Sequence, residues 1–457
     1  MIEQTIISLQ TLAHAFGQTY NLPLPLWLFL FGGAATVIVS FMLANILIGR
    51  KPDTGDQLKS INKTIPINTI KVASLVSAVI YGVLIIGGVI GDQSLINNIS
   101  PTIFWVVLFV AFAHVSVLLG NIWQFINPFN AILDGLEYIA GKKFEAMYAY
   151  PKKLRYIPAV VVYFILIWLE TISGGWGIVP INLSVILFTY GIVTILGVAL
   201  YGRDAWLRYG DFFSIFFELF GRISVFKYIG NKIYVRPLFV GLLEKSKKSL
   251  AFLLFVLFML SSTAFDGLRE TAIYDSFIRF LADAPATAMI GKSVIDTVVL
   301  LASPFAFFAI YWICIFAMRR IVKSKYSVME LAIRFSSSLI PIAIAYNIAH
   351  YFTVVLIQGQ LIFKLASDPF GLGWNLSHTA SYTINTGIIS AASVWYVQIA
   401  LIIAGHIAAV YLAHLIALKT FASNRQALLS QYPMLALMVI YTMTSLWIIS
   451  QSITSTT

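Results

Sequence analysis

The chain has 457 residues, of which 59% are hydrophobic and only 11% charged, and its mean hydropathy is +0.87. Soluble domains carry about 25% charged residues, so a soluble enzyme or a soluble nucleic-acid-binding domain is excluded. Lys and Arg (30) outnumber Asp and Glu (19), and a lone cysteine, Cys314, rules out an intrachain disulfide framework and an all-cysteine metal site.

A spanning helix needs roughly 20 predominantly apolar residues. Ten stretches fit in chain order: 24–48, 70–91, 101–122, 157–172, 181–201, 250–265, 294–318, 331–357, 392–418 and 432–449. The fourth and sixth are the shortest. The expected fold is all-α, a polytopic transmembrane helix bundle forming one integral membrane domain over 1–457. The first residues read poorly as a signal peptide, because Glu3 stands where basic residues belong and Gln10 breaks the apolar run. Thr11–Ala13 fits a cleavage site before His14 only loosely.

Loops rich in Lys and Arg stay cytoplasmic. The connections after the first, third, fifth, seventh and ninth stretches hold 26 basic residues; the others hold 4, namely Arg269, Arg279, Lys292 and Lys364. Both termini are therefore expected on the extracytoplasmic side of the cell membrane. Anionic lipid at the inner face accounts for the basic loops without any nucleic acid.

Two segments are not simple spans. Residues 205–226 combine many aromatics with Arg208, Asp211, Glu218 and Arg222, and read as an inner interfacial helix with a Glu218–Arg222 pair, or as a gate helix. Residues 266–292 mix both charge signs and read as an outer amphipathic hairpin or surface helix. Asn127-Pro128-Phe129-Asn130 follows the third stretch at its cytoplasmic end, and Asp368-Pro369-Phe370-Gly371 follows the eighth on the outside. They are either ordinary helix-ending turns or the matched interruptions of a five-plus-five inverted repeat, each following one histidine, His114 or His350. The spacings differ, 14 residues against 19, and the halves share no evident residue-level similarity.

Polar side chains in hydrocarbon are costly and usually face the bundle interior. The pathway candidates are His114, Glu170, Asp296, His350, Gln358, Gln360, Gln398, His406 and His414, with His14, Asp368 and His378 at the outer mouth. Asp266 falls at the outer end of the sixth stretch. His350, Gln358, Gln360, Gln398, His406, Glu170 and Asp296 share the outer half or middle of the membrane. They suggest an outward-facing His/carboxylate/Gln cavity of a transporter or binding protein for a small solute or ion. For any single group the alternative is a structural interhelical hydrogen bond. A divalent metal has no local signature here: there is no His-Glu-x-x-His and no cysteine pair. His406 and His414, eight apart on one helix, are separated by about 12 Å of rise and some 80° of rotation, so they cannot share an ion. A metal would need donors from several spans, such as His350 and His406 with Glu170 or Asp296.

Particular strings carry a resemblance. They are Ala13-His-Ala-Phe-Gly-Gln18 with Leu22-Pro-Leu-Pro-Leu-Trp27; His350-Tyr351 with Gln358-Gly-Gln360; and Ser367-Asp-Pro-Phe-Gly371. Gly405-His406 with Tyr411-Leu-Ala-His414, and Ser430-Gln-Tyr-Pro-Met434 with Ser445-Leu-Trp447, complete the set. Across nearly its whole length the chain resembles a little-characterised family of prokaryotic polytopic membrane proteins, some labelled fenitrothion hydrolase, an organophosphate hydrolase. It lacks the clear signal peptide that precedes the matching histidine in those relatives. The resemblance implies a membrane-embedded hydrolase in which activated water attacks a phosphotriester, most simply with a divalent metal. His14, His350, His378, His406, Glu170, Asp296 and Asp368 would supply the donor types.

Overall fold

The computed structural model describes residues 22–47, 58–244, 249–284 and 289–451. In chain order its main elements are α1 (Leu26–Leu47), β1 (Lys59–Thr64), α2 (Ile67–Ile90), α3 (Ile99–Leu119, wound as a π-helix over Thr102–Ala111), α4 (Pro128–Ala140), α5 (Ile157–Thr171) and α6 (Pro180–Tyr201). There follow α7 (Arg203–Tyr209), α8 (Phe212–Gly221), β2 (Phe226–Ile229), β3 (Lys232–Val235), α9 (Leu250–Arg269), α10 (Ala272–Asp283), α11 (Lys292–Ile321), α12 (Val328–Phe335) and α13 (Ile340–Ile357). The last are α14 (Leu361–Ser367), α15 (Ala391–Thr420) and α16 (Asn424–Gln451). Among the described residues nine helical segments are long and apolar enough to cross a membrane, with α12 to α14 forming one of them. The chain is an all-α polytopic membrane bundle. Several helices leave apolar stripes uncovered, as α11 does with Val294, Val298, Leu301, Phe305 and Phe316, which is surface that lipid covers.

Contacts divide the chain into two compact units, and the division is not five spans against five. One unit takes α1, α9 to α13, α15 and α16. Its centre is α9, whose residues from Ala251 to Gly267 are almost all buried; it packs on α11 and α16, and α1 packs on α15 and α16. A helix apolar all round is a core helix. The other unit holds α2 to α8, the strands and residues 352–388. There Asn127 does not interrupt a span; it caps α4, accepting from Phe129 N at 2.9 Å, with Pro128 in the first turn.

Three boundaries differ from expectation. The sixth span does not stop at 265: α9 runs on to Arg269, so Asp266 is buried within it and the outer segment starts with α10. The eighth continues through a 3-10 turn at Gln358–Gln360 into α14. The segment 205–226 is not one interfacial helix. Gly210 and Asp211 separate α7 from α8, and Phe212, Phe213, Phe216, Phe217 and Phe220 are all buried. Phe109 of α3 stacks on Phe216 with centroids 5.5 Å apart, and Phe112 meets Phe217 at 4.7 Å. Five rings on ten residues carry more apolar area than an interface can cover, and the core takes them. The expected Glu218–Arg222 pair does form, at 2.6 Å.

Hydrogen bonds bear on whether α5 crosses. It has only 15 residues, roughly 22 Å of helix against a hydrocarbon core of about 30 Å. Yet β1 pairs with β3, and β3 with β2, in one antiparallel sheet, and Ile65 N bonds Asn231 O at 2.9 Å. Between β1 and β3 lie α2, α3, α5 and α6. Without α5, three crossings would put bonded backbones on opposite faces of a bilayer. The same parity governs Gln93, which accepts from Ile181 N at 2.9 Å across α3 and α5. It governs Asp92 N, which bonds Phe370 O at 2.8 Å. Ten crossings, α5 included, keep each of these bonded pairs on one face, and α5 has a buried side of Ala159, Tyr163, Leu166 and Ile167.

Candidate functional site

The best-defined polar cluster lies in the unit centred on α9. Asp266 is 1% exposed, and an ionised carboxylate buried this far needs donors. His350 Nε2 lies 2.9 Å from Asp266 Oδ2, and Tyr351 Oη donates to the same oxygen at 3.0 Å. A carboxylate oxygen with two partners accepts from both, so Nε2 carries the imidazole hydrogen in this contact. Gly267, next along α9, lets α16 approach closely: a Cβ there would meet Ile448 at 2.6 Å and Tyr346 Oη at 3.4 Å. The Tyr346 hydroxyl is buried and has no hydrogen-bond partner among the described residues. Its ring lies 6.4 Å from that of His350.

One turn along α9, Arg269 pairs through Nε with Asp296 Oδ2 of α11 at 3.3 Å. Tyr274 Oη donates to Asp296 Oδ1 at 2.6 Å. Tyr274 is seated by Thr271, which caps α10 and accepts from Tyr274 N at 3.2 Å. Burial, and then the Asp296 carboxylate, pushes the Tyr274 phenol above its usual range, so it remains a donor. Two carboxylates, one guanidinium, one imidazole and three phenols thus come from four helices, α9, α10, α11 and α13, with Ile448 of α16 closing the apolar side.

The structure gathers only some of the expected residues here. Asp296 and His350 belong to the cluster, and Gln398 borders it: its Nε2 donates to Ala349 O at 3.1 Å, while its Oε1 is buried with no partner among the described residues. His406 and His414 lie farther along α15. His406 Nδ1 donates to Ile402 O at 2.8 Å, which leaves Nε2 an acceptor. His414 Nδ1 meets the Gln431 amide nitrogen at 3.1 Å.

The remaining candidates belong to the other unit. Gln360 clamps a loop: it donates to Leu356 O and Asn385 O and accepts from Tyr382 Oη and Asn385 N, at 2.8–3.0 Å. Asp368 accepts from Leu372 N at 2.9 Å and Gly373 N at 2.7 Å, holding its own turn. His378 is exposed and has a left-handed backbone with φ 59°. His114, Glu170 and Gln358 are half-buried on α3, α5 and the turn before α14. His14 lies outside the described residues.

Arg269, Tyr274, Tyr346 and Tyr351 escaped the expected set, and Asp266 was noted only for its depth. The available signals were the i, i+3 spacing of Asp266 and Arg269 and the Tyr346-x-x-x-His350-Tyr351 run. Among the described residues, no three His, Cys, Asp or Glu side chains come together as a metal would require. The divalent-metal donor set implied by the resemblance is not assembled among them. No protein family, curated protein or solved structure matches the chain.

Proposed function

We propose that this membrane protein transports a small solute or ion, and that the Asp266–His350–Tyr351 cluster is its working site. One observation carries the proposal: a fully buried carboxylate is hydrogen-bonded to an imidazole on another spanning helix, with an Arg–Asp pair one turn away. Ionisable groups at such depth are expensive and mark ion and substrate pathways by default. The excess of Lys and Arg places the strand-bearing loops in the cytoplasm, both termini outside, and Asp266, Asp296 and His350 toward the outer half. Gln398, His406 and His414 then continue inward along α15.

The test is reconstitution in vesicles and electrophysiology on a supported membrane, with a panel of amino acids, organic acids, sugars and divalent cations. One class should give transient currents that Asp266→Asn and His350→Gln abolish. A protein that moves none of them would refute the proposal. A second reading follows the resemblance: an imidazole oriented by a carboxylate can activate water, so the same pair would serve a hydrolase. Cleavage of fenitrothion by the purified wild type, lost in His350→Gln, would favour it.

A further inference from the structure

We infer that two segments of the strand-bearing unit, 121–140 and 203–221, are re-entrant helical hairpins that dip into the membrane from the cytoplasmic face, turn at Asn127-Pro128 and Gly210-Asp211, and seal that face where their tips meet. Neither segment holds a helix long enough to span, and the basic connections that flank both are on the cytoplasmic side. Contacts with the spans set the depth of the tips. Ser74 Oγ donates to Asn127 O at 3.1 Å, and Ser74 stands seven residues inside α2 from Ile67, about 10 Å of rise. The Phe129 ring lies 5.5 Å from that of Tyr81 and 5.8 Å from that of Tyr190. Tyr190 stands eleven residues before Tyr201 at the inner end of α6, about 16 Å, and its hydroxyl donates to Asp211 Oδ1. α7 climbs along α6 towards this tip, with Trp206 packed on Gly197 so closely that no Cβ fits there. The ten residues of α8, about 15 Å of helix, bring the chain back to the face. There a Cβ on Gly221 would meet Asn121 N at 2.5 Å, just past the inner end of α3.

Irregular backbone at this depth must find its partners inside the protein, and here it does. Asn127 Oδ1 caps α4 through Phe129 N, and Asp211 Oδ2 caps α8 through Ser214 N at 3.0 Å. The two caps are joined by Asn127 Nδ2, which donates to Ser214 Oγ at 3.2 Å. Lower down, Arg203 of α7 pairs with Asp134 of α4 at 2.6 Å and donates to Asn130 O at 3.1 Å. The hairpins are therefore tied to each other at tip and base, and they meet α2 and α6 through the Ser74 and Tyr190 hydroxyls. Each capping carboxyl or amide oxygen is spent on its own helix, so the meeting point is a latch and not an anion site. On the transport proposal, on which this last step rests, the latched pair is the cytoplasmic gate.

The experiment reads thiol accessibility in full-length protein in vesicles, in a Cys314→Ser background, with a charged, impermeant methanethiosulfonate. Ala78→Cys is the reporter. Ala78 shares a face of α2 with Ser74 and Tyr81, the two residues that touch the first hairpin, and lies about 16 Å along the helix from Ile67. With the latch intact it should label slowly from either side. Ser214→Ala and Asn127→Ser each remove the bond between the tips while keeping both helices capped. Each should speed labelling from the cytoplasmic side about tenfold, the shift in open population that one lost hydrogen bond gives, and leave the outer side unchanged. Ser214→Thr keeps the hydroxyl and should stay protected, which separates an open latch from a misfolded bundle. Asp204→Cys and Val225→Cys, both exposed at the two ends of the second hairpin, should label from the cytoplasmic face alike. The inference is overturned by a reporter rate that either latch variant leaves unchanged, by acceleration from the outer side, or by Asp204→Cys and Val225→Cys on opposite faces. A protein whose reporter opens as described but that moves no solute overturns the transport proposal instead, and the hairpins stand.

Discussion

Asp266→Ala and His350→Ala, alone and together, distinguish a charged pair from an ordinary polar contact. A neutral interhelical hydrogen bond in a membrane protein is worth about 0.6 kcal/mol and at most about 1.7. A hydrogen bond to an ionised group contributes about 1.5–3 kcal/mol, and breaking a buried pair on one side costs about 3–5. Asp266 is 1% exposed and its Oδ2 anchors two donors, so Asp266→Ala strands both and should cost about 3–5 kcal/mol. His350→Ala leaves Tyr351 on the carboxylate and should cost about 2–3 kcal/mol. The coupling energy of the cycle should then be about 2 kcal/mol. Reversible unfolding in mixed micelles, followed by tryptophan fluorescence, gives the four free energies. Coupling of about 0.6 kcal/mol or less would mean a neutral structural hydrogen bond, and this pair could not be the working site.

Other outcomes follow from the same structure. Ten crossings predict that, in a Cys314→Ser background, Lys143→Cys and Trp176→Cys react with an impermeant thiol reagent from opposite faces of α5; labelling from one face would return the count to nine. Gly405→Ala should lower the melting temperature at a cost of about 1–3 kcal/mol, since its Cβ would meet Pro341 O of α13 at 3.0 Å and the Ala345 side chain. Burial holds the Asp211 carboxyl above the usual carboxylate range, against the opposing hydrogen bonds from Ser214 and Tyr190. The folded state then binds that proton more tightly than the unfolded state, so stability falls as pH rises from the unfolded value through the raised one. Asp211→Asn should gain on the wild type over that window and run parallel above it in thermal scans; a flat difference would refute the sign.

The fold class was legible because hydropathy is a sum over twenty residues and survives local errors. The site was legible only in part. His350 and Asp296 stand out as polar residues in apolar runs, but what completes them is their partners on α9, and the apolar run there ends at Phe265. Nothing in the sequence distinguishes an Asp that ends a span from one the helix carries inside, because that depends on what packs around it. Here α10, α11 and α13 do. Gln360 and Asp368 have residue types that suit a pathway, and folding engages them locally: Gln360 with Leu356 O, Asn385 and Tyr382, and Asp368 with Leu372 N and Gly373 N. Phe212–Gly221 looked interfacial because charges flank it, and those charges are used in a local pair and a cap: Arg222 on Glu218, and Asp211 on Ser214 N at 3.0 Å.

Hydropathy and charge disagree about α5, and the hydrogen bonds agree with the charge. By length alone nine segments qualify, which would put the basic connections on both faces; by charge alternation ten are needed. Backbone groups that bond to each other lie on one face, and β1 with β3 and Ile65 with Asn231 are such groups. Ten crossings then put Lys59, Lys63, Lys227, Lys232 and Arg236 on a single face, the distribution that the positive-inside rule describes. α9 is entered from that face. Asp266 lies 16 residues into it, about 24 Å along the helix, which is close to the opposite face. On the transport proposal, a solute from that side would reach the Asp266 end of α9 within a turn or two, whereas from the basic side it would have to pass most of the membrane, so the place of Asp266 on its helix would set the direction of access.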